Sequence, residues 1–169
     1  ATDESGDDDS AEDAADSDVV SISLFRSLED DATGTVSGVV TVLPDVFGSQ
    51  YFYIQDDEAG IQVYSYSKDF PALEVGDVVQ VTGTRSSSHN EARIKTSSAE
   101  DIVVLGSGEP PTPRDVAELT EDVEGVLVQT SGTVVDQSGS EALLNDALTI
   151  VLKDNADIIG TETVSFART

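Results

Sequence analysis

The chain of 169 residues contains no cysteine, methionine or tryptophan, and aromatic residues make up only 5% of it. Without cysteine, neither a disulfide-stapled scaffold nor a thiolate metal site can form. No apolar run is long enough for a membrane-spanning helix, so we expect no membrane insertion. Helix-type apolar periodicity is also scarce, whereas valine is abundant, and this balance favours an all-β protein.

Basic residues are scarce as well. Eight Lys and Arg face 34 Asp and Glu, which gives a formal net charge of −26. So acidic a surface suits a halophilic or calcium-rich extracellular setting, where ions screen the repulsion between carboxylates; an ordinary acidic soluble protein is the alternative. A strong polyanion binder is expected to show a net basic face. Any nucleic-acid binding must therefore be local, based on stacking, and helped by salt or by bridging divalent cations.

Short runs of β-forming residues, separated by Gly, Pro, Asp and Ser, fill residues 34–105. We predict five strands and a closing piece, at 35–43, 50–56, 61–66, 77–84, 91–96 and 102–105. Residues 85–90 form a polar loop in this prediction. The crossover at 68–75 brings Phe70 and Leu73 to the floor of a small barrel.

The second and third predicted strands carry all four tyrosines of the chain. These are Tyr51, Tyr53, Tyr64 and Tyr66. Alternation along each strand places the tyrosines on one face of the sheet and an apolar set on the other, namely Phe52, Ile54, Ile61 and Val63. A sheet with one apolar face and one tyrosine face indicates a surface that contacts another molecule.

The run GVVTVLPDVFGSQYFYIQDDEAGIQVYSYSKDFPALEVGDVVQVTG, followed by EARIK and DIVVL, resembles the OB-fold domains of secreted bacterial and archaeal proteins. Such domains are found beside extracellular nuclease or lamin-tail domains. The resemblance covers about 70 of the 169 residues, with the valine-rich, YIQD, GIQVY and VGDVVQVTG runs in family order. It implies a five-stranded barrel and, by analogy, nucleic-acid binding, with no catalytic motif in the domain itself.

We divide the chain into five segments. Residues 1–18 are an acidic arm that should be disordered in isolation. Residues 19–33 form a lead-in strand or a short helix, and residues 34–105 form the OB-fold domain. Residues 106–121 are a Pro/Gly linker. Residues 122–169 form a second, incomplete OB-like domain, whose predicted strands are too few to close a barrel: GVLVQTSGTVV, EALL, ALTIVL and TVSFA.

OB-folds bind their ligands on the surface of strands two and three, with aromatic stacking and a basic groove. The resemblance therefore indicates a ligand-binding set of aromatic and basic residues. The candidates are Phe47, Tyr51, Tyr53, Tyr64, Tyr66, Lys68, Arg85, Arg93 and Lys95. In the alternative interpretation the tyrosines pack against a neighbouring domain or subunit, because tyrosine is also enriched at interfaces.

Metal binding and catalysis have weaker signals. The acidic turn Asp56, Asp57 and Glu58 is a candidate for Ca²⁺, with an ordinary hairpin turn as the alternative, and the acidic arm lacks calcium-loop spacing. The single histidine, His89, lies in a loop-like Ser-Ser-Ser-His-Asn run, and no nucleophile elbow or phosphate loop occurs. We therefore expect no enzymatic activity and no cofactor, with Ca²⁺ as the one candidate ion.

These features predict a secreted, non-enzymatic protein of the cell surface or matrix that binds a single strand of nucleic acid or extracellular DNA. The opening ATDESGDDDS is typical of a mature N-terminus after removal of a targeting segment. Alternatively, the chain is a structural subunit that self-assembles into a filament or sheath, by β-pairing that involves residues 19–25 or 126–152. The assembly strand then contains Val20, Ile22 and Leu24, which alternate with serines.

Overall fold

The computed structural model describes residues 18–138, 141–145 and 148–151. The described chain is nearly all β. Its elements are β1 (Val19–Val20), α1 (Ile22–Arg26), β2 (Thr33–Val42), β3 (Tyr51–Gln55), β4 (Gly60–Ser65), β5 (Asp77–Ser88), β6 (Glu91–Thr96), β7 (Ile102–Ser107), β8 (Arg114–Asp115), β9 (Val128–Gln129), β10 (Val134–Ser138), β11 (Glu141–Leu144) and β12 (Leu148–Val151). Of the acidic arm predicted at residues 1–18, only Asp18 is described, as an exposed turn residue, and residues 1–17 lie outside the described residues, as does the predicted strand TVSFA.

Five strands close into a barrel in the order β2-β3-β4-β6-β5, and β5 pairs back onto β2. The pairing of β4 with β6 is parallel and the other four are antiparallel. This order, with the fifth strand between the third and the fourth, is that of the OB-fold. The all-β class and the closed five-stranded barrel predicted from the sequence are confirmed.

The barrel interior is filled by alternate residues of its strands. Its fully buried side chains include Val36, Val40, Phe52, Ile54, Ile61, Val63, Val79, Val81 and Ile94. Phe70 and Leu73 of the crossover pack against this core, as predicted, and the Phe70 ring meets Phe52 edge to face. Each such burial contributes about 1.5–3 kcal/mol, so the alternation seen in the sequence is what holds the barrel closed.

The predicted polar loop at 85–90 is wrong in its extent. β5 continues through Ser88, and only His89 and Asn90 form the turn to β6, because Ser88 already pairs with Glu91. Both turn residues have positive φ, 54° and 69°. A two-residue turn with positive φ at both positions matches the twist of a hairpin. His89 is therefore a turn residue.

The lead-in is a helix rather than an alternating strand. Only Val19 and Val20 pair, in parallel with β2, and Ser21 then caps α1 by accepting the Leu24 N–H. Ile22 and Phe25, three residues apart, are buried against the barrel, whereas Leu24 is exposed. The predicted assembly strand through Val20, Ile22 and Leu24 is therefore wrong, because the last two of these residues lie in α1. α1 has five residues, and no helix of the described chain is long and apolar enough to span a membrane.

After the barrel, β7 adds an edge strand that pairs with the first half of β5. The predicted linker at 106–121 is not continuous coil, because β8 lies within it and pairs in parallel with β9. β10, β11 and β12 then form an antiparallel three-stranded meander around a small core. The predicted strand GVLVQTSGTVV is divided between β9 and β10, which belong to different sheets, and the second OB-like domain stays a prediction.

Candidate ligand-binding face

The outward side of β3, β4 and β6 forms a surface that we call the tyrosine face. The pairing register of β3 and β4 determines which side chains meet on this face: Tyr51 lies opposite Tyr64, and Tyr53 lies opposite Gln62. The parallel neighbour β6 adds Arg93 beside Gln62 and Lys95 beside Tyr64. These side chains point away from the core because their strand neighbours Phe52, Val63 and Ile94 point into it. The sheet thus brings aromatic and basic groups together.

Tyr53 is a structural residue of this face and is not free to stack on a ligand. It is buried, and its hydroxyl donates to Glu91 Oε1 at 2.5 Å and accepts from Gln62 Nε2 at 3.0 Å. Burial, and then the hydrogen bond to the Glu91 carboxylate, raise the pKa of Tyr53 well above its usual range. The prediction that Tyr53 binds a ligand does not fit this burial, because the preceding loop and Glu91 contact the side chain.

The loop between β2 and β3 folds onto the two tyrosines of β3. Phe47 meets the Tyr53 ring edge on, with 6.3 Å between centroids, and the Tyr51 hydroxyl donates to the Phe47 carbonyl at 2.8 Å. A Cβ on Gly48 would lie 2.6 Å from the Tyr51 ring, so glycine permits this close approach. Phe47 therefore supports the face from the loop, and Tyr51 remains half-buried at its border.

Tyr64 carries the most distinctive contact of the face. The Arg93 guanidinium lies over its ring, 4.1 Å from the centroid, and Arg93 Nε donates to Ser86 Oγ at 2.9 Å. An arginine stacked on an aromatic ring gains a cation–π interaction and keeps its planar fork oriented. Lys95, the exposed neighbour of Tyr64, adds a second cation. The result is a stacked planar cation beside a second, exposed cation.

Two further candidates flank the same edge. Tyr66 and Lys68 follow the end of β4 and are exposed, Tyr66 to 77%. Alternation predicted that Tyr66 is the last residue of a strand. It lies instead in the turn after Ser65, where its carbonyl accepts from Gln50 Nε2. Lys68 has a positive φ of 60° in this turn. Both extend the aromatic and basic surface beyond the sheet.

Arg85 does not belong to this surface. It pairs in register with Ile94, a core residue, so strand alternation directs it to the inner side of β5. There its guanidinium forms an ion pair with Asp30 and donates to the Arg26 carbonyl. The prediction that Arg85 rims the tyrosine face is therefore wrong, because β5 is longer than expected and carries this residue to the α1 end of the barrel.

The acidic turn at Asp56 has its own structural partners. The Asp56 carboxylate accepts three backbone N–H groups, those of Ile22, Glu58 and Ala59. The carbonyls of Asp57 and Glu58 accept from Arg114, at 3.4 Å each. Among the described residues, no group of three acidic or histidine side chains is placed to hold a metal ion. Asp56 thus closes the hairpin and anchors the start of α1.

A segment after the barrel, residues 114–129, covers the far end of the tyrosine face. Glu124 is largely buried there, accepts the Ala92 N–H at 3.2 Å and forms an ion pair with Arg26 at 3.0 Å. Burial raises the pKa of Glu124, although the Ala92 N–H and Arg26 oppose that shift. The Leu127 N–H donates to Gln55 Oε1 at 2.7 Å. This docking leaves the end of the face that carries Tyr51 and Tyr64 accessible.

Sequence reasoning missed the residues of this docked segment and the polar partners under the face. Arg26 and Glu124 are 98 positions apart, so no local pattern links them. Glu91, Gln62 and Ser86 are ordinary polar residues in strands, and only their register with Tyr53 or Arg93 gives them a role. The spacing of the tyrosines and the resemblance to OB-fold domains were the signals in the sequence that pointed to this surface.

The chain matches no protein-family model and no curated protein. It does match solved structures. One of them is the structure of the hypothetical protein YgiW from E. coli, which is 21% identical to this chain and aligns with a TM-score of 0.40. The alignment covers 52% of this chain and 89% of that chain.

Proposed function

We propose that this protein is a non-enzymatic OB-fold protein of the cell surface or extracellular matrix that binds single-stranded nucleic acid through the tyrosine face. The observation that carries the proposal is the guanidinium of Arg93 stacked on Tyr64. Its outer surface offers a base a planar cation to stack on, and its fork suits a phosphate. Tyr51, Tyr66, Lys95 and Lys68 surround this pair with rings and positive charge.

The distribution of cations supports the same surface. Within the described residues, Arg26, Arg85 and Arg114 donate to oxygen atoms of the protein itself. Arg93, whose Nε also donates to Ser86 Oγ, lies with Lys95 on the tyrosine face, and Lys68 lies beside it. In a chain of net charge −26, a local group of three cations lowers the repulsion of a polyanion at this surface.

The charge also defines the conditions of binding. Repulsion between the ligand and the many carboxylates is strong at low salt and screened within about 10 Å at 0.1 M salt. We propose that binding takes place outside the cell in a saline or calcium-containing medium, where cations screen or bridge the two negative partners. Ca²⁺ is in this proposal a bridging ion rather than a resident cofactor.

The experiment is fluorescence anisotropy with a labelled oligothymidylate across a NaCl series. Arg93→Ala should weaken binding by about 1–3 kcal/mol, the usual contribution of one stacked base, and Tyr64→Ala should weaken it too because the guanidinium loses the ring on which it stacks, whereas Tyr64→Phe should preserve binding. Three cations on phosphates predict a slope of log K against log[salt] of about −2 for a single strand. Arg114→Ala, which removes the same charge as Arg93→Ala but away from the face, is the matched control. No binding by the wild type at any NaCl or CaCl₂ concentration removes the proposal.

A second candidate function is a structural subunit that self-assembles into an extracellular filament or sheath by β-pairing between copies. The observation that favours it is β7, an edge strand with three exposed apolar side chains, Val103, Val104 and Leu105. Exposed apolar edges are avoided in monomeric proteins because they pair with other chains. Negative-stain microscopy and light scattering in high salt decide between a filament and a monomer.

A further inference from the structure

Glu91 places a carboxylate within the tyrosine face. It lies at the start of β6, two residues before Arg93, so both side chains point outward from the barrel. Its Oε1 accepts the Tyr53 hydroxyl at 2.5 Å and its Oε2 accepts Gln62 Nε2 at 3.2 Å, and these two bonds hold the carboxylate in place. Stacking and phosphate contacts alone give this group no role toward the ligand.

Both side chains that hold the Glu91 carboxylate are hydrogen-bond donors to it. An ionised carboxylate has about four acceptor positions on its two oxygens and no donor. Each Glu91 oxygen accepts one of these two bonds and keeps the capacity to accept another. The side chain is only half-buried, so a bound molecule can reach it. A ligand group that meets Glu91 must therefore donate N–H or O–H groups, whereas a phosphate is repelled.

The order of charges along β6 gives a bound nucleotide a direction. On the outward side of this strand, Glu91, Arg93 and Lys95 follow one another at steps of two residues, about 7 Å each. Arg93, at the middle of the row, is stacked on Tyr64. A nucleotide whose base stacks on this guanidinium has a cation on one side and a carboxylate on the other. Its phosphate is attracted toward Lys95, and a base edge that carries donors is attracted toward Glu91.

We infer that Glu91 selects the base at this position and that the base is guanine; the inference rests on the proposed binding of single-stranded nucleic acid and names the base that it prefers. The edge of guanine carries two adjacent donors, the N1–H and the N2 amino group, which match the two oxygens of one carboxylate. Cytosine and adenine offer one amino group beside an acceptor nitrogen. Thymine offers one N–H between two carbonyl oxygens, which the carboxylate repels. The order of preference is therefore guanine, then cytosine and adenine, then thymine.

The experiment compares oligothymidylates of about ten nucleotides, within the range of an OB-fold site, that differ at one central base. Fluorescence anisotropy gives the affinity of the full chain for oligonucleotides with guanine, hypoxanthine, adenine, cytosine or thymine at that position. A single substitution avoids the self-association of guanine-rich strands. Hypoxanthine keeps the N1–H of guanine and lacks its amino group. It therefore removes one of the two proposed hydrogen bonds while the purine ring stays.

We expect guanine to tighten binding about fivefold or more over thymine, the low end for one bidentate contact to a base, with hypoxanthine in between. Glu91→Gln should remove this preference, because an amide has one acceptor oxygen and turns an amino group toward the donors of guanine. The amide oxygen can still accept the Tyr53 hydroxyl, and circular dichroism verifies that the variant is folded. Glu29→Gln removes an equal charge from an exposed residue after α1 and should keep the preference of the wild type.

Three results would overturn the inference alone, and a fourth would also remove the proposal on which it rests. Equal affinity for all the oligonucleotides shows that no base is selected, although the strand is bound. A preference for guanine that survives Glu91→Gln shows that Glu91 only supports Tyr53. Equal tightening by guanine, hypoxanthine and adenine shows that the stacking of a purine ring decides, not hydrogen bonds. No binding of any oligonucleotide at any salt concentration removes both.

Discussion

Removal of the Arg26 side chain should loosen residues 114–129 from the barrel. Arg26 donates to Glu124 Oε1 at 3.0 Å and to the carbonyls of Glu121 and Glu124, each at 3.2 Å. The two side chains of the ion pair are only 16% and 8% exposed. Arg26→Ala therefore leaves a buried carboxylate with the Ala92 N–H as its remaining donor, a type of change that costs about 3–5 kcal/mol when nothing compensates.

The remaining hydrogen bond from the Ala92 N–H and the protonation of Glu124 limit the loss in the free energy of unfolding to about 3 kcal/mol, the lower end of that range. With a urea m-value of about 2 kcal/mol/M, the unfolding midpoint should fall by about 1.5 M. If the segment undocks before the barrel unfolds, hydrogen exchange at the Ala92 and Leu127 amides should accelerate instead, while that of the Ile54 amide in β3 stays slow.

Arg114→Ala is the matched control for this prediction. Arg114 also joins the docked segment to the barrel, through the carbonyls of Asp57 and Glu58, but it is exposed. An exposed contact contributes about 1 kcal/mol or less. Equal effects of Arg26→Ala and Arg114→Ala, in both urea unfolding and hydrogen exchange, would refute the reasoning that burial makes the difference.

Three further changes test the polar network. Burial raises the pKa of Glu124 above 4.5. Its contribution to the free energy of unfolding is therefore fully present below pH 4.5 and is lost as the pH rises through the folded pKa. Over that pH range, urea titrations should show the wild type losing stability relative to Glu124→Gln. The Ser107 hydroxyl, and then the Glu74 N–H, hold the pKa of Asp77 below 3.8. Its contribution is present above 3.8 and is lost as pH falls through the folded pKa, so Asp77→Asn should destabilise at neutral pH and not in acid. Tyr53→Phe should cost about 2 kcal/mol in urea unfolding because it removes a hydrogen bond to a carboxylate, whereas Tyr64→Phe should cost little.

The barrel could be predicted because its strands carry local signals. Alternation, together with Gly, Pro and Asp in the turns, located β3, β4 and β6 to within a residue or two, and β6 at its observed bounds. Where a local signal was ambiguous, the prediction failed. The run Ser-Ser-Ser-His-Asn has loop composition, yet register with β6 keeps Ser86 and Ser88 in β5. Composition alone does not distinguish a polar strand from a loop.

The candidate site was predicted only in part. The tyrosine spacing indicated a shared face, since period-two alternation requires it, but exposure depends on what covers the face. Glu91 and the Phe47 loop bury Tyr53, and the docked segment covers the end near Gln55. These contacts join parts of the chain that are distant in sequence, so no local sequence pattern predicts them. The stacking of Arg93 on Tyr64 likewise depends on parallel pairing of β4 with β6, which a sequence pattern does not reveal.

Mapping of backbone chemical shifts during titration with an oligothymidylate tests the proposed binding face most directly. In the salt range where anisotropy detects binding, the account predicts shifts confined to β3, β4 and β6 around Tyr51, Tyr64, Arg93 and Lys95, and to the turn with Tyr66 and Lys68. The amides of the docked segment and of α1 should not move. Shifts centred elsewhere, or no shifts at saturating oligonucleotide, would contradict the proposal that this face binds single-stranded nucleic acid.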